Sequence, residues 1–261
     1  MDIYRSSITC QLIAHSWKMA LNSNKHSVCV IIPMYNEERG AKRCVHAVVS
    51  VLQNIKIPSF LLIVDDGSKD TTLKILQRLK KLYKEKLVII SHGQNKGYGA
   101  GLATGVREAI KQGYEYCIFM DSDLTNSPNF IPQFVDQIDN GYDCVKASRY
   151  IKGGGMVGVP LMRKMYSGLG NMVASILFDI GIHDCSNGFR MVRLEMLKDV
   201  KYQEKGFSII LEELYDLKKK NAHFKEIPNI LTNRTIGKTS FSYTPQMLWD
   251  YAKYAIKAVF I

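Results

Sequence analysis

Short apolar runs alternate with longer segments of helical periodicity from residue 28 onward. The apolar runs are rich in β-branched residues and predict strands at 28–33, 60–66, 86–91, 116–121 and 143–148. Strands that alternate with helices are typical of βαβ units around a mainly parallel sheet. We therefore predict an α/β fold in which helices flank a mainly parallel sheet within a single domain.

Apolar stripes predict the helices between these strands. They lie near 37–53, from Asp70 or Thr71 onward, at 98–111 and after Pro128. Beyond residue 150 the pattern changes to a glycine-rich loop at 152–155, a helix at 160–179, a short SNGFRMV segment, a helix at 207–220 and a strand-like FKEIPNIL segment.

The same pattern divides the chain into an N-terminal extension (1–26), the α/β domain (27–243) and a C-terminal amphipathic helix (244–261). The C-terminal helix carries Trp249, tyrosines and lysines, so it fits either packing on the domain, which we favour slightly, or lying in a membrane interface.

Polar clusters follow three of the predicted strands, with the sequences PMYNEE, DDGS and DSD. In open parallel sheets, ligands bind in the crevice beyond the carboxyl ends of the strands, so these clusters are expected to converge. Asp121 and Asp123 can share a face and would repel each other unless a cation lies between them. A solvated turn is the usual fate of such a pair, but a position after an apolar strand favours Mg²⁺ or Mn²⁺ that holds a diphosphate.

Positive charge dominates the sequence, with 35 Lys and Arg against 24 Asp and Glu and a net charge of +11. This charge favours anionic partners, although a solvated basic surface accounts for much of it. The second half contains arginines at 149, 163, 190 and 234. Each alone would be a surface residue, whereas several around one crevice would grip phosphate oxygens.

The six cysteines show no CxxC spacing, and three of them fall inside apolar strands, which indicates a reducing compartment. No apolar run approaches the roughly 20 residues that a membrane span needs. We therefore expect a cytoplasmic protein, either free or bound peripherally to the cytoplasmic face of a membrane.

Seven segments occur in the order seen in a known family: VIIPMYNEE, IVDDGSKDTT, NKGYGAGLATG, MDSDLTNSP, SRYIKGGG, PLMRK and DCSNGFR. Over about residues 27–241 the chain resembles family 2 glycosyltransferases of the GT-A fold. It is most similar to their dolichyl- or polyprenyl-phosphate mannosyltransferase branch. The resemblance implies metal-dependent, inverting transfer of a hexose, mannose or glucose, from a nucleotide sugar such as GDP-mannose or UDP-glucose to a polyprenyl or dolichyl phosphate.

The resemblance also implies roles for individual residues. It assigns the nucleotide sugar to Pro33, Tyr35, Glu37, Val64, Asp66 and Ser122. It assigns the metal, Mg²⁺ or Mn²⁺, to Asp121 and Asp123, and the phosphates of donor and acceptor to Arg149, Arg163 and Arg234. Asp121, Asp123, Arg149 and Arg163 would thus be catalytic.

Two positions depart from the family pattern. Thr125 occupies the place where the family often has a glutamine metal ligand, so Thr125 is expected at the metal. GKTS at 237–240 replaces the usual GESK.

Two other functions stay open from the sequence. A family 2 enzyme of polysaccharide or glycolipid synthesis would glycosylate a sugar hydroxyl and would need a carboxylate base. The candidates for that base are Glu212, Glu213 and Asp184. A basic nucleic-acid-binding module is opposed by the acidic clusters and by the lack of a basic-aromatic recognition motif, so no nucleic-acid partner is expected.

Overall fold

A computed structural model describes residues 26–234 and 245–261. The predicted N-terminal extension, apart from His26, and the GKTS segment lie outside these described residues. The predicted domain limits at 26/27 and 243/244 therefore remain predictions.

A seven-stranded sheet forms the centre of the protein, with the strand order β3-β2-β1-β4-β7-β5-β8. Its strands are β1 (Val28–Met34), β2 (Ser59–Asp65), β3 (Leu87–Ser91), β4 (Tyr116–Phe119), β5 (Cys144–Ser148), β7 (Arg190–Arg193) and β8 (Phe224–Pro228). A small second sheet pairs β6 (Gly155–Met156) with β9 (Ile230–Leu231). All pairings in the large sheet are parallel except those of β7, which runs antiparallel to both β4 and β5.

Helices cover both faces of the sheet, as predicted. They are α1 (Ala41–Leu52), α2 (Thr72–Tyr83), α3 (Tyr98–Gln112), α4 (Ile131–Val135), α5 (Leu161–Phe178), α6 (Ile209–Lys219) and α7 (Pro245–Ala258). Helices α1, α2 and α4 pack on one face of the sheet, and α3, α5, α6 and α7 on the other.

Strands β1 and β2 are buried along their whole length. Because helices cover both faces, the apolar side chains on either face of these strands pack in the core. This explains why the sequence shows continuous apolar runs there and no alternation of apolar and polar residues.

Two predicted elements differ from the structure in ways that matter for the site. Strand β4 ends at Phe119 instead of residue 121, so Asp121 and Asp123 lie in the loop that follows the strand. The SNGFRMV segment supplies β7, an unpredicted strand whose antiparallel direction brings its first residues to the edge where the parallel strands end. No helix in the parts of the chain that the structure describes is long and apolar enough to cross a membrane.

Candidate active site

A cavity of about 1080 Å³ opens at the carboxyl edge of the sheet. Eleven of the twelve residues predicted from the resemblance line it: Pro33, Tyr35, Glu37, Asp66, Asp121, Ser122, Asp123, Thr125, Arg149, Arg163 and Arg234. They come from the last residues of β1, from loops after β1, β2, β4 and β5, from α5 and from the segment after β9. The strand ends thus converge as expected for an open α/β sheet.

Val64 is the exception, and its predicted contact with the nucleotide is wrong for its side chain. It is fully buried in the apolar cluster under α3, on the same face of β2 as Leu62 and Phe60. Alternate residues of a strand share a face, and this face of β2 points into the core instead of the cavity.

Asp121 and Asp123 lie together at the floor of the cavity, and each has one oxygen already engaged. The Tyr98 hydroxyl donates to Asp121 Oδ1 at 2.9 Å. The backbone N–H and the hydroxyl of Thr125 donate to Asp123 Oδ1 at 3.0 and 2.8 Å. Burial and the neighbouring Asp123 carboxylate raise the pKa of Asp121 to about 6. A cation placed between the two carboxylates would relieve both effects.

The donor set fits a hard divalent ion. No group of three or more His, Cys, Asp or Glu side chains within residues 26–234 and 245–261 could form a complete protein cage for a metal. Mg²⁺ typically takes one or two carboxylates and completes its shell with water and substrate phosphates, which this pair allows. The Thr125 hydroxyl donates to Asp123, so in this structure it orients that carboxylate.

The predicted nucleotide end of the cavity is built around Asp66. Its two oxygens accept backbone N–H groups of Lys96 and Gly97 at 2.9 and 2.8 Å, and Oδ1 also lies 2.7 Å from His92 Nδ1. Asp66 therefore fixes the loop before α3 as well as facing the cavity.

Glu37 and Arg234 form an ion pair within the cavity. Nη2 of Arg234 donates to both carboxylate oxygens of Glu37, at 2.7 and 2.8 Å. The sequence assigned these two residues to different ligands, whereas the structure places them in contact. A phosphate that binds Arg234 would therefore compete with Glu37.

Arg149 is held by a buried carboxylate. Its Nε and Nη2 donate to Asp184 at 2.7 Å each, and Nη2 also donates to Ser186 Oγ at 3.0 Å. The Asp184 side chain is fully buried, so this fork is shielded from solvent and its orientation is fixed. Arg149 is thus held in a fixed position in the cavity lining.

Arg163 lies in the first turn of α5, exposed at the rim of the same cavity. Beyond it the cavity wall becomes apolar. This wall comes from α5 and α7 and includes Leu169, Val173, Leu177, Tyr251, Ala255 and Ile256.

The candidate bases for a hydroxyl acceptor do not line the cavity. Asp184 is enclosed by Arg149 and accepts the backbone N–H of Asn187. Glu213 is 1% exposed and pairs with the buried Arg190, while Glu212 accepts the backbone N–H groups of Gln203 and Glu204. All three have structural contacts and lie outside the cavity lining, which argues against any of them as the base for a hydroxyl acceptor.

Two buried cations beneath the cavity were not predicted as site residues. Lys146 is fully buried and donates to the carbonyl oxygens of Cys185 and Asn187. Desolvation by burial, followed by the nearby positive charge of Arg190, lowers the pKa of Lys146. Burial disfavours the charge of Arg190, but the neighbouring Glu213 carboxylate raises the pKa of Arg190. Arg190 also lies close enough to Asp121 to stabilise the Asp121 carboxylate. Lys146 lies within a predicted apolar strand, which was the available signal for it, whereas Arg190 begins the unpredicted strand β7.

Comparisons with known proteins agree with this geometry. Residues 29–201 match the family model described as glycosyl transferase family 2. A polyprenol monophosphomannose synthase of Mycolicibacterium smegmatis is 28% identical over 233 residues, which cover 87% of this chain and 86% of that protein. A dolichol-phosphate mannosyltransferase of Pyrococcus furiosus is 32% identical over 224 residues, which cover 83% of this chain but only 61% of that protein.

Solved structures show the same fold. Glucosyl-3-phosphoglycerate synthase of Mycobacterium tuberculosis in complex with UDP has a TM-score of 0.65 at 17% identity, and the match covers 95% of this chain and 84% of that one. The same enzyme with Mn²⁺, UDP and glucosyl-3-phosphoglycerate has a TM-score of 0.64 at 17% identity and the same coverage. The family match, together with the strand-edge cavity and its acidic pair, shows that this chain belongs to glycosyl transferase family 2 and has the GT-A fold.

Proposed function

We propose that this protein is an inverting, metal-dependent hexosyltransferase that moves mannose or glucose from a nucleotide diphosphate sugar to a polyprenyl phosphate. The names of the two curated relatives support a polyprenyl or dolichyl phosphate acceptor. The observation that carries the proposal is the composition of one cavity. It combines an acidic pair, three arginines and an apolar wall, while none of the candidate bases named above lines it.

The acceptor chemistry follows from that composition. A phosphate monoester has a second pKa near 6, so it is already an anionic nucleophile at neutral pH and needs no base. Two anionic reactants must instead be brought together, which Arg149, Arg163 and Arg234 around the cavity can do. When bound by Asp121 and Asp123, a divalent ion would neutralise charge on the departing nucleoside diphosphate.

The apolar wall supports a lipid acceptor over a soluble one. Helices α5 and α7 contribute aliphatic and aromatic side chains to the wall of the cavity that also contains the acidic pair. A polyprenyl phosphate has this polarity, with an anionic head followed by hydrocarbon. We place the head among the arginines and the first isoprene units along α5 and α7.

A sugar-hydroxyl acceptor fits less well. It would have to lose a proton in the transition state. The four carboxylates that line the cavity among the described residues are Glu37, Asp66, Asp121 and Asp123. The first is paired with Arg234, the second holds the loop before α3, and the other two form the metal pair.

Donor and acceptor assays test this proposal. GDP-mannose and UDP-glucose would each be incubated with a short polyprenyl phosphate or with soluble sugars, in Mn²⁺, in Mg²⁺ or in excess EDTA. We expect a glycosyl phospholipid only with the polyprenyl phosphate and a divalent ion, with inverted anomeric configuration by NMR. Transfer to a soluble sugar alone, or full turnover in EDTA, would contradict the proposal.

A further inference from the structure

Tyr98 connects the acidic pair to the rest of the cavity wall. It is the first residue of α3, and its hydroxyl donates to Asp121 Oδ1 at 2.9 Å. Its ring packs on Phe207, with 4.5 Å between the ring centroids. Both residues line the cavity. In the sequence, the GYGAG segment contributes only to the family resemblance, which assigns no role to this tyrosine.

Two glycines on either side of Tyr98 allow a loop to press against the start of α3. A Cβ atom at Gly99 would lie 2.1 Å from the Glu204 carbonyl oxygen, and one at Gly97 would lie 2.7 Å from the Lys205 carbonyl oxygen. The N–H of Gly99 donates to the Lys205 carbonyl at 2.7 Å. That bond satisfies one of the N–H groups that a helix leaves unpaired at its N-terminus. The backbone around Tyr98 is therefore fixed from outside the helix.

The same loop is anchored to α7. Glu204 Oε1 accepts hydrogen bonds from Lys253 Nζ at 2.6 Å and from the Tyr254 hydroxyl at 2.9 Å, and Oε2 accepts one from Ser208 at 2.8 Å. Three donors on one carboxylate restrict the loop, and the loop in turn restricts Tyr98.

Gly188 completes the setting on the other side. A Cβ atom there would lie 3.4 Å from the Tyr98 hydroxyl and 3.7 Å from Asp121 Oδ2. These are ordinary van der Waals distances, so Gly188 packs directly beside the hydroxyl and the carboxylate. Tyr98 holds one oxygen of Asp121, which leaves Oδ2 as the oxygen available to a metal.

We propose that Tyr98 is a positioning residue for the metal site, because its hydroxyl fixes the orientation in which Asp121 meets the divalent ion. The inference rests on the proposed function, since it concerns the ion that the acidic pair would hold. Tyr98 itself needs no contact with the metal or with the sugar.

The test is direct binding of Mn²⁺ to Tyr98→Phe, titrated by electron paramagnetic resonance with saturating GDP or UDP. This substitution keeps the ring on Phe207 and removes only the hydroxyl. A hydrogen bond to a charged group has an effect that corresponds to about tenfold in affinity, so we expect about tenfold weaker Mn²⁺ binding. The melting temperature should fall slightly, because a hydrogen bond to a partly buried carboxylate is lost. Affinity for the nucleotide without metal should stay unchanged, whereas a general structural defect would weaken it as well.

Tyr114→Phe is the matched control. Its hydroxyl contacts Gln112 at 3.3 Å, and Tyr114 packs in the core away from the cavity. We expect it to bind Mn²⁺ as the wild type does. Equal Mn²⁺ affinity of Tyr98→Phe and the wild type would overturn this inference alone. A wild type that bound no Mn²⁺ would overturn the proposed function as well.

Discussion

Asp184 determines where Arg149 points. Its carboxylate accepts the backbone N–H, Nε and Nη2 of Arg149 and the backbone N–H of Asn187, and it is fully buried. A buried ion pair of this kind is not by itself evidence of high stability, because desolvation offsets much of the attraction. Removal of one partner is nevertheless costly, since the other charge is left uncompensated.

Asp184→Asn should therefore lower the free energy of unfolding by about 3 kcal/mol, because the Arg149 guanidinium loses its anionic partner. Urea unfolding followed by circular dichroism measures this change. The control is Asp139→Asn, whose carboxylate is 77% exposed and pairs with His26. It should change the free energy of unfolding by less than about 0.5 kcal/mol. Equal stabilities of the two variants would show that the Arg149 contact contributes little.

At the scale of single residues, the sequence predicts which residues lie at the cavity better than it predicts which side chains they pair with. Asp121, Asp123 and Arg149 could be placed at the cavity because each follows an apolar strand, and strand ends meet at one edge. The pairing of Arg149 with Asp184 spans 35 residues, and that of Arg234 with Glu37 spans 197. No local pattern reports such contacts. For the same reason, sequence reasoning treated Asp184 as a candidate base, whereas the structure shows it holding an arginine.

Among the elements, the contact between α3 and the loop at 203–205 has the strictest steric requirement. A Cβ atom at Gly99 would lie 2.1 Å from a backbone oxygen, which a side-chain rotation cannot relieve. Either the loop or the start of α3 would have to move. Tyr98 lies at that start, so a shift there would also displace the Asp121 contact.

We expect Gly99→Ala to lower the free energy of unfolding by about 2 kcal/mol, a typical cost of overpacking, and to weaken Mn²⁺ binding together with it. Differential scanning calorimetry and the Mn²⁺ titration measure the two effects. Gly93→Ala is the matched control, because a Cβ atom there meets nothing within 4 Å. A Gly99→Ala protein as stable as Gly93→Ala would mean that the loop yields without cost.

The predicted strand bounds were accurate for long strands that are buried along their whole length. They were inaccurate for the shortest strands of the large sheet, β4 and β7. Strands β1 and β2 were placed within one residue at each end, since both are buried throughout and contain long apolar runs. Strand β7 was missed because it has only four residues, with an arginine at each end. In the sheet, β7 lies between β4 and β5. Its pairing therefore depends on long-range contacts, which local periodicity in the sequence cannot predict.

For the whole molecule, an exposed apolar surface on α5 supports action at a membrane. Its exposed side chains include Met162, Met165, Leu169, Met172 and Ile176. Met165, Leu169, Met172 and Ile176 recur at spacings of three and four residues, so they form one helical stripe. An apolar stripe that remains exposed in the described part of a protein with a net charge of +11 suits an interface that contains anionic lipid.

The double substitution Met172→Glu with Ile176→Glu separates membrane binding from catalysis. The two side chains are 56% and 69% exposed and do not line the cavity. Two carboxylates on this stripe should reduce sedimentation with anionic phospholipid vesicles at least tenfold, because they remove apolar contact and add repulsion. Transfer to a short, water-soluble polyprenyl phosphate should stay within about twofold of wild type, since the active site is intact.

Leu82→Glu provides the control, because Leu82 is 65% exposed on α2, outside the cavity. It adds one carboxylate at an equally exposed apolar position and should leave vesicle binding unchanged. If both variants sedimented like the wild type, α5 would not be the membrane contact. If the double variant lost turnover on the short acceptor as well, α5 would be required for the reaction itself. Retained turnover with lost vesicle binding would instead show that α5 brings the enzyme to its lipid substrate, while the strand-edge cavity alone carries out the transfer.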